Sequence, residues 1–245
     1  MHVTNSQAGT NVHEIASGIF RISTPMPPSL IPGGFTFNQV LVVDEAPLLF
    51  HTGPRRLFPL VREAVAFVLG DASKLRFVGF SHVEADECGS LNEWLATAPQ
   101  AEPVCSHIAA MVSVNDLADR APRALGDGEE LSLGNKTVRW LDAPHLPHNW
   151  ECGYLFETST RTLLCGDLFT HAGGAELLPL TETEVLGPAM ALFKAMGGIA
   201  LEANTRALLT KLARTEPQTL ALMHGSSYRG NGSALLLQLA DQLAA

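Results

Sequence analysis

The sequence predicts an α/β (α+β) sandwich: one domain over residues 1–245, with two mixed sheets packed together and helices on the outside. Two observations lead there. Short apolar runs alternate with segments of helical periodicity along the whole chain. No linker, low-complexity stretch or repeat of 20–50 residues divides it.

Taken in order, Ile15 to Ile22 alternates apolar and polar residues, as a half-buried strand does. Phe37 to Val43 and Pro47 to Phe50 read as two strands joined by the turn-like Asp44-Glu45-Ala46. From Pro54 to Leu69, the residues Leu57, Leu60, Val61, Ala64, Val65 and Val68 fall at helical spacing and predict an amphipathic helix. Leu75 to Phe80 is a short apolar strand, followed by a polar loop and a helix from about Ser90 to Ala98. Pro103 to Cys105, Val138 to Leu141, Gly153 to Glu157 and Thr162 to Cys165 are further short strands. Thr219 to Met223 is the last, and it ends directly at His224. Helices are expected over Val185 to Met196, Glu202 to Arg214 and Ser233 to Ala244. Gly166 to Glu184, with Gly173 and Gly174, reads as a long mobile loop.

A chain of 245 residues buries a sizeable core. Its formal net charge of −9 argues against a nucleic-acid partner, which requires concentrated Lys and Arg. No apolar stretch approaches the ~18 residues of a membrane span, and Met1 to Ala8 lacks the basic start and apolar run of a signal peptide. No membrane partner and a cytoplasmic location are therefore expected. Cys88, Cys105, Cys152 and Cys165 form no C-x-x-C pair and read as reduced, mostly buried thiols.

The chemistry concentrates after the strand Leu75 to Phe80. The chain there reads Ser81-His82-Val83-Glu84-Ala85-Asp86-Glu87-Cys88-Gly89, with four potential ligands, His82, Glu84, Asp86 and Glu87, within six residues. On an extended backbone His82, Glu84 and Asp86 would share one side. The carboxylates would repel one another unless a cation neutralised them. Three more polar residues follow apolar strands in the same way: the His145-Leu146-Pro147-His148 segment, Asp167 after Gly166, and His224 before Gly225. A strand that stops at a ligand holds it on a rigid scaffold. Singly, each has a plainer reading: a hydrogen-bonded structural histidine, a Gly-Asp turn, an acidic loop before the helix at Ser90.

In their order, H-x-E-x-D, then His, then Gly-Asp, then His-Gly, these motifs resemble the metallo-β-lactamase superfamily. More narrowly, they are similar to the flavodiiron proteins and related oxygen-binding diiron proteins, in which Glu replaces the second His of the hydrolases' H-x-H-x-D-H. The separation of His148 and Asp167 (167 − 148 = 19) fits that branch and favours His148 over His145. The resemblance runs from about Ile15 to the last helix. It implies an αββα sandwich in which His82, Glu84 and His148 bind one metal, Asp86 and His224 a second, and Asp167 bridges them. Two positions depart from the pattern. Glu87 stands where the second metal usually has a His, so either Glu87 is a ligand or that metal is more open. His51, in Phe50-His51-Thr52-Gly53, stands where the superfamily has an Asp, and is either a support for the ligand loop or an ordinary turn histidine. His145, His171 and Tyr228 are further candidates for orienting ligands. Cys88 lies where a helix start would stabilise a thiolate, with packing as its plainer role.

An oxygen-rich set completed by imidazoles suits iron or manganese, and zinc is also well served. The expected cofactors are two metal ions, iron first, with zinc or manganese as alternatives. No flavin is expected in this chain, which shows neither G-x-G-x-x-G nor a Walker loop. The resemblance implies a non-haem diiron protein, oxidoreductase or oxygen sensor, that binds or reduces dioxygen, peroxide or nitric oxide. A reductase would need a separate electron donor, and a homodimer is implied by analogy. The alternative is a zinc-dependent hydrolase acting on an ester, lactone or thioester.

Overall fold

The computed structural model describes residues 1–243, and among these the strands gather into two sheets. The first follows chain order: β1 (His2–Asn5), β2 (Thr10–Ala16), β3 (Ile19–Met26), β4 (Phe35–Val42), β5 (Leu48–Phe50), β6 (Phe77–Gly79), β7 (Glu102–Ser106) and β8 (Arg123–Leu125). It is antiparallel as far as β5 and parallel from β5 to β8. The change follows from the connections, because a parallel neighbour requires a crossover. Helix α1 (Phe58–Leu69) supplies the crossover from β5 to β6, and α2 (Ala85–Cys88) with α3 (Leu91–Thr97) the one from β6 to β7. The last is α4 (His107–Ala109), a π turn at Ala110–Val114, and α5 (Asn115–Leu117).

The second sheet contains β9 (Glu130–Ser132), β10 (Thr137–Asp142), β11 (Gly153–Glu157), β12 (Thr162–Leu164), β13 (Leu180–Thr181), β14 (Thr219–Ala221) and β15 (Ser227–Arg229), in the order β13-β15-β14-β12-β11-β10-β9. Within it β12 and β14 are parallel. Helices α6 (Leu186–Met196), α7 (Thr205–Ala213) and α8 (Gly232–Leu243) cover it. Three apolar layers hold the sandwich together. Val40, Val42, Leu48 and Phe50 meet Trp140, Leu155 and Leu164 between the sheets. Val61, Val65, Leu91 and Trp94 seal helices to the first sheet, and Phe193, Leu209 and Leu236 do so for the second. The fold is the metallo-β-lactamase sandwich the sequence predicts. No helix among the described residues is long and apolar enough to cross a membrane.

Several elements differ from expectation. The single strand Ile15 to Ile22 is a hairpin, β2 and β3, turning at Gly18 with φ +69°. The turn interrupts the alternation, and the Ser17-Gly18 pair is its sequence signal. The last expected strand ends its ladder at Ala221, so Leu222 and Met223 lead on to His224 outside it. The predicted loop Gly166 to Glu184 includes β13, paired with β15. Strands β1, β8, β9, β13 and β15, of two to four residues each, are too short to show a period. Helix Glu202 to Arg214 begins at Thr205, and Ala244, the end expected for the last helix, lies outside the described residues.

At one place the two-sheet core tolerates no Cβ. A methyl on Gly153 would come within 2.3 Å of the Trp140 ring, which is fully buried. Gly153→Ala is expected to destabilise the chain by about 1–3 kcal/mol through overpacking. Denaturant unfolding measures it, and an unchanged midpoint would show that Trp140 has room to move.

Candidate metal centre

The crossovers decide where the polar residues go. His82 follows β6, His51 follows β5, and Asp167 and His224 follow the parallel pair β12 and β14. Parallel neighbours end side by side, so residues from distant parts of the chain converge at the carboxyl ends of both sheets. His148 reaches the same place from the connection after β10.

The expected ligands assemble in two groups, His82, Glu84, His148 and Asp167 in one, and Asp86, Glu87 and His224 in the other. The nitrogen and oxygen atoms of each group lie within 4.8 Å of one another. Asp167 faces both. Its Oδ2 lies 3.6 Å from His82 Nε2 and 3.5 Å from His148 Nε2, while its Oδ1 lies 3.2 Å from His224 Nε2. Asp86 Oδ2 is 3.2 Å from His224 Nε2, and Glu84 Oε2 is 3.4 Å from His82 Nε2.

One expectation about the ligand loop fails. The backbone is extended at Glu84 but turns helical at Ala85, so Asp86 and Glu87 lie in the first turn of α2 and not on a continuous strand. The helical turn brings in Glu87 as well as Asp86. Glu87 is fully buried, its Oε2 is 3.9 Å from His82 Nε2, and neither of its oxygens has a hydrogen-bond partner.

These residues fit metal ions. Each ligand imidazole is anchored through Nδ1 and turns Nε2 inward: His224 Nδ1 to Thr36 O at 2.7 Å, His148 Nδ1 to Gly198 O at 3.1 Å, and His82 Nδ1 to Ser81 Oγ at 2.9 Å. A histidine that donates outward from one nitrogen offers a lone pair on the other. The Nε2 atoms of His82 and His148 lie only 3.1 Å apart. That approach, beside the orphaned oxygens of Glu87, is satisfied by a shared proton in the metal-free chain and suits a metal ion in its place.

The protein's own electrostatics point the same way. Burial, then Asp167 and Asp86, push the Glu87 carboxyl well above the usual range. Glu84 is held well below it by hydrogen bonds from His148 and His82. Burial raises Asp86, but the neighbouring His224 outweighs it and brings the carboxyl to about 2. The hydrogen bond it donates to Glu84 lifts His148 to about 9 against its burial. Burial lowers His224, yet Asp167 and Asp86 raise it to about 9. Cations are thus favoured here, and metal binding would displace these protons.

The remaining candidates separate. His51 is buried, with Nε2 3.0 Å from Ser81 Oγ, and burial lowers it to about 3. His171 supports the turn after His224: Nδ1 meets Phe169 O at 2.9 Å, and Nε2 accepts the Ser226 N–H at 3.0 Å. Its ring packs so closely on Gly225 that a Cβ there would lie 2.3 Å from it. His145 is absent from both groups and occupies a left-handed turn, with φ +62°. The Tyr228 hydroxyl lies against Gly230. The Cys88 thiol donates to Glu84 O at 3.2 Å and is pushed by burial up to about 11, which opposes the thiolate expected at a helix start.

Sequence reasoning missed Glu151, whose Oε1 accepts the Val83 N–H at 3.0 Å and so fixes the ligand loop. It also missed Thr36, which accepts from both His224 and Gly225, and the Phe35 ring stacked 4.3 Å from His224. Phe35 lies two residues before the apolar stretch Phe37 to Val43 is read to begin, and in alternation with Phe37, which is its one signal. A cavity of about 330 Å³ opens onto Glu84, Asp86, His148, Asp167 and His224. Its other walls include Phe35, Phe37, Leu192, Phe193 and Met196, and no Lys or Arg.

Residues 35–225 match the model of the family described as ODP family beta lactamase. No curated protein matches the sequence. Among solved structures, the metal-soaked Flv1 flavodiiron core of Synechocystis is 22% identical, with a TM-score of 0.77 over 96% of this chain and 60% of that one. Rubredoxin oxygen:oxidoreductase of Desulfovibrio gigas is 18% identical, with a TM-score of 0.77 over 95% of this chain and 62% of its own. A fragment of a diflavin flavoprotein from Nostoc is 17% identical, with a TM-score of 0.75 over 96% of this chain and 95% of the fragment. The chain thus spans about three-fifths of the first two. At these identities the likeness establishes the fold.

Proposed function

We propose that this chain, which belongs to the ODP family of beta lactamases, is a non-haem diiron protein that binds or reduces dioxygen or a related small oxidant such as nitric oxide or peroxide. The observation that carries the proposal is the donor set. Four carboxylates and three imidazoles converge in two groups, with Asp167 facing both. An oxygen-rich set completed by imidazole suits iron. The proposed ligands are His82, Glu84 and His148 for one ion, Asp86, Glu87 and His224 for the other, and Asp167 between them. Two irons held there would supply the electrons for reducing a small oxidant.

The chain's own contribution is position and exclusion. The carbonyls of Thr36 and Gly198 orient His224 and His148, and Glu151 holds the loop of His82 and Glu84. Phe35, Phe37, Phe193 and Met196 keep the approach apolar, which suits a small uncharged molecule. Electrons would come from a separate donor, and pairing of two copies belongs to the same proposal. The cavity is larger than a diatomic molecule requires, which favours one second reading: a zinc hydrolase of a neutral ester, lactone or thioester.

Elemental analysis of protein produced with ample iron, with visible spectra before and after dioxygen meets the reduced form, separates the two. Two irons per chain and an absorption band that responds to dioxygen are expected. Zinc in both positions and no spectral response, with zinc-dependent hydrolysis of a lactone or thioester, would overturn the diiron reading in favour of the hydrolase.

A further inference from the structure

We propose that His51 is a positioning residue for His82, acting through the Ser81 hydroxyl to fix which ring nitrogen of His82 faces the metal side. The proposal rests on the metal-centre reading above. His51 Nε2 lies 3.0 Å from Ser81 Oγ, which lies 2.9 Å from His82 Nδ1, and all three residues are buried.

A hydroxyl carries one proton, so Ser81 donates in one direction only. If it donated to His82 Nδ1, the His82 proton would sit on Nε2 and aim at the metal position, leaving no lone pair there. If it donates to His51 Nε2, its oxygen accepts the His82 Nδ1–H, and the Nε2 lone pair faces inward. An acceptor nitrogen at His51 selects the second arrangement. The other two ligand histidines need no such device, because Thr36 O and Gly198 O are carbonyls and can only accept. Among the three, His82 depends on a group that is able to reverse.

The backbone supports the assignment. His51 has φ +68°, a left-handed conformation that costs energy for any residue but glycine and persists where surrounding structure holds it. Here the His51 N–H donates to Gly79 O at 2.8 Å, and the Thr52 N–H donates to Glu87 O at 2.7 Å. The Ser90 N–H donates to Thr52 Oγ1 at 3.0 Å. The turn is therefore tied to β6 on one side and to the helical end of the ligand loop on the other.

The test uses Ser81→Ala, Ser81→Thr and His51→Asn, the last because Asn tolerates left-handed backbone. Nitrogen-15 NMR of the histidine rings in metal-free protein reads the tautomers, and competition against a chromophoric chelator reads the affinities for two zinc ions. In Ser81→Ala and His51→Asn, the His82 ring signals are expected to shift away from those of wild type while the His224 signals hold. One zinc affinity should fall by roughly 10- to 100-fold, the usual effect of losing a group that orients a ligand. The other affinity and the metal-free melting temperature should hold, and Ser81→Thr should restore the wild-type pattern. Unchanged His82 signals with both affinities intact would overturn the proposal. So would equal weakening of both ions with a lower melting temperature, which would make the turn merely structural. A wild-type chain that binds no metal would overturn the metal-centre reading instead, and the tautomer measurement alone would then decide the relay.

Discussion

Asp167→Ala is expected to empty both metal positions, while its effect on the metal-free fold is small. Asp167 is the one ligand whose two oxygens face different groups, Oδ2 toward His82 and His148 and Oδ1 toward His224. Removing any other carboxylate weakens one group; removing this one opens both. Without metal, burial works against the Asp167 charge, and His224 and His82 outweigh it and hold the carboxyl below its usual range. Its loss therefore forfeits favourable contacts with those rings as well as relieving Glu87 and Asp86, and the two effects oppose each other. If a metal binds N and not the unfolded chain, a free concentration near 1,000 times its Kd stabilises by about 4 kcal/mol. For a chain of this size that corresponds to a rise of roughly 8–16 °C in Tm. Wild type should show this rise on adding metal, and Asp167→Ala should not. Elemental analysis and thermal unfolding, each with and without chelator, measure it. Two metals at full occupancy in Asp167→Ala would remove the bridging assignment.

Much of this candidate site was legible because three of its residues come just after apolar strands, a pattern that one sequence displays. His82, Asp167 and His224 lie three residues beyond strands that the fold buries, and the separation of His148 from Asp167 favoured the histidine that the structure places beside His82 and Glu84. What was not legible depends on contacts between distant segments. Thr36 lies 188 residues from His224, and Glu151 lies 68 from Val83. Neither has a local pattern, because each works by presenting one oxygen to a distant N–H. The helical turn at Ala85 was hidden for another reason. The alternation His82, Glu84, Asp86 imitates a strand, and α2 is too short at Ala85–Cys88 to register a helical period. The two departures from the family pattern, His51 and Glu87, were the positions whose roles stayed open. The structure buries both against the same histidine, His82, with His51 acting through Ser81 and Glu87 directly.

Glu87 carries the second large expectation, a substitution whose effect changes sign with metal. In metal-free protein its carboxyl is pushed well above the usual range by burial, Asp167 and Asp86, and both oxygens are without hydrogen-bond partners. A carboxyl with a raised folded-state pKa supports the fold below its unfolded value of about 4.3 and loses that contribution as pH rises through the folded value. Metal-free Glu87→Gln should therefore match wild type near pH 4 and become the more stable of the two as pH rises to neutrality. A gain of about 1–3 kcal/mol corresponds to the cost of an unsatisfied buried group. With metal present the order should reverse, since the amide supplies neither the charge nor the second oxygen acceptor that the Asp86 and His224 group would use. One metal should then bind more weakly while the other, held by His82, Glu84 and His148, is retained. Denaturant unfolding across pH on chelated and metal-loaded protein measures both signs. A variant less stable than wild type in both states would show that Glu87 is a structural residue, and one that binds both metals normally would leave the second ion to Asp86, His224 and Asp167 alone.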